Sequence, residues 1–193
     1  MTSPDILKAT ELVVKTLEDL DIPYYIGGSI ASSAYGFARA TLDVDLIVDL
    51  KLNNVQSLVQ ILQASYYIDE ETVSDAVRLR SSFNLIHLET MLKIDIFVIK
   101  DSLYAREAFS RKRRDKLDEE QGTEYYIASP EDVIVNKLEW FRMGGNVSDR
   151  QWQDILGIMK VQGDLLDMSY LRYWTAELEL SDLLVQALGE AGL

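Results

Sequence analysis

Apolar positions along the chain fall into two regimes that meet near residue 128. Over residues 5–20, Ile6, Ala9, Val13, Leu17 and Leu20 recur at the spacing of one helix face, with Thr2 or Ser3 to cap and Pro4 at the first helical position. Ile22-Pro23 ends that helix, and residues 24–26 read as a short strand running into Gly27-Gly28. Residues 29–37 suit a helix of small side chains closed by Gly36, residues 44–48 a second strand, and residues 53–64 a helix with Val55, Leu58, Val59 and Leu62 inward. Residues 69–75 read as a loop or a helix base, and 76–79 fit either a short helix or a strand. Residues 82–88 and 93–99 read as two strands joined by a turn, and 125–127 as a further short strand.

Beyond residue 128 the pattern is helical throughout. Ser129-Pro130-Glu131-Asp132 combines a capping hydroxyl, a first-turn proline and first-turn acids, and predicts a helix to Met143. Ser148 caps a second helix to about Val161, Asp167 or Ser169 opens a third to Glu177, and residues 181–188 form a fourth. The reading is an α+β fold with a mixed α/β core over residues 1–128 and a C-terminal helical lobe over 129–193.

The chemistry concentrates where strand and turn signals crowd together. Side chains at i and i+2 of a strand share a face, so Asp43 and Asp45 either converge on a site or stand as solvated residues at the mouth of a strand. Asp95 lies inside a second strand, between Ile94 and Ile96, where a carboxylate is seldom without a partner. If the strands are neighbours, three carboxylates meet; their repulsion is relieved by a hard divalent ion such as Mg2+. Gly27-Gly28-Ser29 opens a helix whose free N–H groups suit an anion, and Arg39 and Thr41 stand ready to reach a phosphate or brace the loop. No lysine follows the glycines as in an ATPase phosphate loop, and no dinucleotide fingerprint is present.

Other features carry two readings. Lys137 either snorkels outward or meets a triphosphate in the cleft between core and lobe. The basic run from Arg111 to Lys116 is either a solvated helix face, with Arg111 and Arg114 together, or a patch for a polyphosphate or an RNA end. Asp149-Arg150 and Asp154 suggest ion pairing within or between helices. His87 lies in a strand, where it fits a packed residue, and is assigned no role; Trp140, Trp152 and Trp174 are expected in the core.

Composition narrows the function classes. The chain of 193 residues has no cysteine and one histidine, which excludes disulfides, thiolate catalysis, sulfur-ligated zinc and multi-histidine metal sites. A formal net charge of -13 disfavours non-specific nucleic-acid binding, although a local patch can override it. No secretory leader or membrane-length apolar run is read in the sequence, and a cytoplasmic location is expected.

Gly27-Gly28-Ser29, Asp43-Val-Asp45 and Asp95 together resemble the nucleotidyltransferase superfamily with the polymerase-beta-like fold. Arg39-Ala-Thr41, Asp43-x-Asp45-Leu-Ile-Val, Ala128-Ser-Pro-Glu-Asp132, Lys137 and Asp149-Arg-x-x-x-Asp154 resemble its AbiEii-like bacterial branch, found in toxin–antitoxin loci. The similarity spans about residues 24–173. It implies a mixed sheet with flanking helices and a helical lobe, with the site between them. It also implies Mg2+ on Asp43, Asp45 and Asp95, nucleotide phosphates on the glycine-serine turn, and Lys137 at the triphosphate. The implied reaction transfers an NMP from an NTP to a hydroxyl of tRNA, a protein or a small molecule. An antitoxin or a second copy is an expected partner. A non-catalytic nucleotide-binding protein and a metal-dependent phosphohydrolase remain alternatives.

Overall fold

The computed structural model describes residues 4–41, 43–116 and 123–193. Among the described residues seven strands build one mixed sheet: β1 (Tyr24–Ile26), β2 (Val44–Val48), β3 (Tyr66–Tyr67), β4 (Ser82–His87), β5 (Lys93–Val98), β6 (Arg113–Lys116) and β7 (Glu124–Ile127). Their spatial order is β3-β4-β5-β2-β1-β7-β6. β2 runs parallel to β5 and antiparallel to β1, while β1 runs parallel to β7. The starts of β2 and β5 and the end of β1 therefore meet at one end of the sheet. The turns beyond those three strands converge there.

Helices α1 (Pro4–Asp19), α2 (Gly28–Tyr35), α3 (Leu52–Leu62), α4 (Glu70–Leu79) and α5 (Leu103–Ser110) accompany the sheet. Helices α6 (Pro130–Met143), α7 (Asp149–Gln162), α8 (Met168–Glu177) and α9 (Ser181–Ala191) form the C-terminal helical lobe. Buried side chains from α1 through α9 join in a single apolar cluster. Asp69 settles the undecided stretch after β3. Its carboxylate accepts the Thr72 N–H, capping α4, so residues 70–79 are helical. The expected caps at Thr2 and Ser3 lie outside the described residues.

Two expectations are corrected. Arg111 ends α5, and Arg113–Lys116 are a strand, so no helix face unites Arg111 with Arg114. The cause is tertiary: β7 offers an unpaired edge, and residues 113–116 pair antiparallel with it despite their polar composition. Trp140 is 53 % exposed and meets Phe97 edge-on instead of entering the core, whereas Trp152 and Trp174 are buried. Among the described residues no helix is long and apolar enough to cross a membrane.

Candidate active site

The parallel register of β2 and β5 sets Asp45 directly beside Asp95. Their side chains share a sheet face at the strand spacing of about 4.8 Å. The Gly27 N–H donates to the Asp45 carbonyl at 2.9 Å, tying the end of β1 to the start of β2. The chain then turns through Gly28 at φ +53° and enters α2. A Cβ at residue 28 would fall 1.7 Å from Asp45 Oδ2, so only glycine lets the turn rest on that carboxylate.

Burial raises the Asp45 carboxyl above its ordinary range, and Asp95 and Asp43 push it further in the same direction. Lys137 and a bond from the Ser29 backbone N–H oppose this. Asp43 is exposed just before β2, and its N–H donates to Thr41 Oγ1 at 3.3 Å, so Thr41 braces the approach to the strand. Asp95 accepts an ion pair from Lys93 Nζ at 2.8 Å. The expected meeting of three carboxylates is therefore looser than a closed cage. Among the described residues no group of three His, Cys, Asp or Glu side chains stands ready to hold a metal. The donor set nevertheless fits a hard divalent ion: two carboxylates in register, a third within electrostatic reach, and a glycine cradle that leaves no room for a side chain over them.

The helical lobe and the loop after α2 contribute the opposite charges. Lys137, on α6, is 4 % exposed and points inward, so the snorkelling reading fails. Its Nζ donates to Asp154 Oδ2 at 2.8 Å and to Gln151 Oε1 at 2.9 Å, both on α7. Arg39 grips the same carboxylate with two bonds of 2.8 Å, and its Nη2 also donates to Ser29 Oγ at 2.6 Å. Asp154 thus joins α6, α7 and the loop after α2, and holds both candidate phosphate-binding cations. Burial pushes Asp154 up, but bonds from Arg39 and Lys137 outweigh it and hold the carboxyl below its ordinary range. Lys137 is also shifted down, because its deeper burial and the nearby Arg39 exceed what Asp154 restores. The lobe can come this close because α2 lies flat on α7: a Cβ at Gly36 would fall 2.8 Å from the Ile158 nitrogen.

The basic run divides between two other places. Arg111 reaches back to the start of α6, pairing with the buried Glu131 at 3.0 Å and approaching Asp132 at 3.6 Å. Asp132 also accepts from Ser129 Oγ and Tyr170 Oη, which makes this a structural polar network. Lys112 and Arg114 lie over the Tyr126 ring beside a surface cavity of about 370 Å³ that includes Glu18 and Asp21 but none of the acids above. His87 is buried, with Nδ1 2.8 Å from Thr90 Oγ1, in keeping with packing alone.

Gln151 and Lys93 were not singled out from the sequence. Lys93 had a legible signal, since it stands two residues before Asp95 and so shares its strand face. Gln151 had none, because its place follows from how α7 packs on α6.

No family model and no curated protein matches the sequence. Solved structures do match the fold. ANT(2")-Ia in complex with adenylyl-2"-tobramycin superposes with a TM-score of 0.61 at 12% identity, covering 90% of this chain and 98% of that one. A lincosamide antibiotic adenylyltransferase with lincomycin bound gives 0.53 at 15% identity, covering 83% and 98%. An antigenic nucleotidyltransferase-like protein from Paracoccidioides brasiliensis gives 0.54 at 19% identity, covering 97% and 94%. At these identities the likeness speaks for architecture, and the architecture of this chain is the nucleotidyltransferase fold.

Proposed function

We propose that the protein is a Mg2+-dependent nucleotidyltransferase that moves an NMP from an NTP to a hydroxyl acceptor. The observation that carries this reading is the register of Asp45 with Asp95 beneath the Gly27-Gly28 turn, with buried Lys137 within electrostatic reach of Asp45. Asp43, Asp45 and Asp95 would hold the metal, which when bound neutralises phosphate oxygens and makes the phosphorus more electrophilic. The backbone N–H groups at the start of α2 other than that of Ser29, which Asp45 holds, receive the polyphosphate with the Ser29 hydroxyl. Arg39 and Lys137 stand behind Ser29 and Asp45 and supply positive charge to it. Asp95 accepts the proton of the attacking hydroxyl. Its oxygen bonds to the α-phosphorus, the bond from that phosphorus to the β-phosphate oxygen breaks, and pyrophosphate leaves.

The motif set supports placement in the AbiEii-like branch, with tRNA, a protein or a small hydroxylated molecule as acceptor and an antitoxin or a second copy as partner; the cysteine-free composition is in keeping with action in the cytoplasm. Solved structures of like fold with adenylyl-tobramycin and lincomycin support the small-molecule acceptor class. A non-catalytic regulatory role is favoured by one feature, the engagement of both Arg39 and Lys137 by Asp154, which leaves less of their charge for a phosphate.

The test is label transfer from each α-labelled NTP with Mg2+, offered total tRNA, the protein itself, and aminoglycoside and lincosamide panels. Label on one acceptor class, lost in Asp43→Ala and Asp95→Ala, is expected. Metal-dependent nucleotide binding without any transfer would favour the non-catalytic role.

A further inference from the structure

Around the start of β2 and β5 the register makes a small grid of charges. Asp45 stands beside Asp95 in the register, Lys93 shares the strand face of Asp95 two residues earlier, and Asp43 immediately precedes β2. The grid holds three negative charges and one positive. Lys93 Nζ lies 2.8 Å from Asp95 Oδ2, the one ion pair that these three acids make among the described residues. The same ammonium lies in the field of Asp43 and Asp45. On its other side Asp95 has the neutral Asn84 of β4 as its registered neighbour. The Lys93 side chain is 46% exposed, so it is long, solvated and free to swing aside.

We propose that Lys93 is a resident counter-cation of the acid site, occupying Asp95 in the metal-free protein and disfavouring free divalent ions there. This rests on the reading of Asp43, Asp45 and Asp95 as metal-binding. An incoming ion must displace the ammonium from Asp95 and then tolerate a unit positive charge a few ångströms away. A polyphosphate brings the negative charge that offsets both, so the site favours the metal–nucleotide complex over the bare ion. Lys93 is a positioning and specificity residue in this account, not one that touches the reacting atoms.

The experiment is calorimetric titration of Mn2+ alone into the wild-type protein, Lys93→Gln, Lys93→Arg, Lys100→Gln and Asp45→Asn, with melting temperatures in chelator and in Mn2+. Lys93→Gln is expected to bind Mn2+ roughly tenfold or more tightly, as expected for removing a unit charge a few ångströms from a divalent ion. Its melting temperature should be lower than wild type in chelator and rise more on adding Mn2+. Lys93→Arg keeps the charge and should bind like wild type, as should Lys100→Gln, which alters a lysine beyond the other end of β5. Unchanged or weaker binding by Lys93→Gln overturns the inference. If wild type binds Mn2+ and Asp45→Asn does not, that result leaves the metal-site reading standing. Absence of Mn2+ binding in every variant, Lys93→Gln included, overturns both.

Discussion

Gly28 and Asp45 exclude any side chain larger than hydrogen between them: the Cβ position of residue 28 lies 1.7 Å from Asp45 Oδ2. The backbone there is also left-handed, at φ +53°. Gly28→Ala should therefore cost roughly 2–4 kcal/mol, combining the left-handed penalty with overpacking, and should remove nucleotide binding. Gly145→Ala isolates the first effect, since φ there is +74° and nothing lies within 4 Å. That variant should lose about 1–2 kcal/mol and keep its binding. Denaturant unfolding and nucleotide titration measure the two quantities.

Asp45→Asn should remove transfer while raising stability. Burial and the neighbouring acids lift the Asp45 carboxyl above its unfolded value, so folding favours the protonated form relative to the unfolded chain. Stability associated with this group is present below the unfolded value, near 4, and is lost as pH rises through the raised folded value. At neutral pH the asparagine variant should gain roughly 0.5–2 kcal/mol in chelator. Melting curves from pH 4 upward should show wild type falling relative to the variant.

Asp154→Ala strands Lys137, whose side chain is 6% exposed, and should cost roughly 3–5 kcal/mol. The Lys137→Met, Asp154→Leu double variant should lose less than the two single changes summed, as a double-mutant cycle reads directly. The Asp154 carboxyl lies below its unfolded value, so its contribution is present above about pH 4 and disappears as pH falls through the lowered folded value. Acid unfolding of Asp154→Asn should lack that component.

Arg111→Met leaves Glu131 and Asp132 buried at the start of α6 without their shared cation, and a loss of about 3–5 kcal/mol is expected. Lys116→Ala, at the exposed end of β6, should stay within about 0.5 kcal/mol. The contrast, measured by chemical denaturation, separates structural from surface roles within one run of basic residues.

The elements around the site were legible because their signals are local. Period-two and period-three-to-four patterns, the Ser129-Pro130 start and the Gly27-Gly28 turn each act within a few residues, and β2, β5, α6 and α7 lie close to where those signals place them. Residues 103–116 were not legible in this way. Their charge pattern is compatible with helix throughout, and only the edge of β7 draws residues 113–116 into a strand.

The sequence by itself determined which residues are candidates for the chemistry: the spacing of Asp43 and Asp45, an acid inside the apolar strand β5, and glycines where the turn demands them. Tertiary structure alone decided what faces what. Asp45 beside Asp95 is a matter of strand register, and Asp154 against both Lys137 and Arg39 follows from the close packing of α2 on α7. Such pairings join residues tens to more than a hundred positions apart. A local pattern can say that a charge needs a partner, but only the packed chain can choose which one.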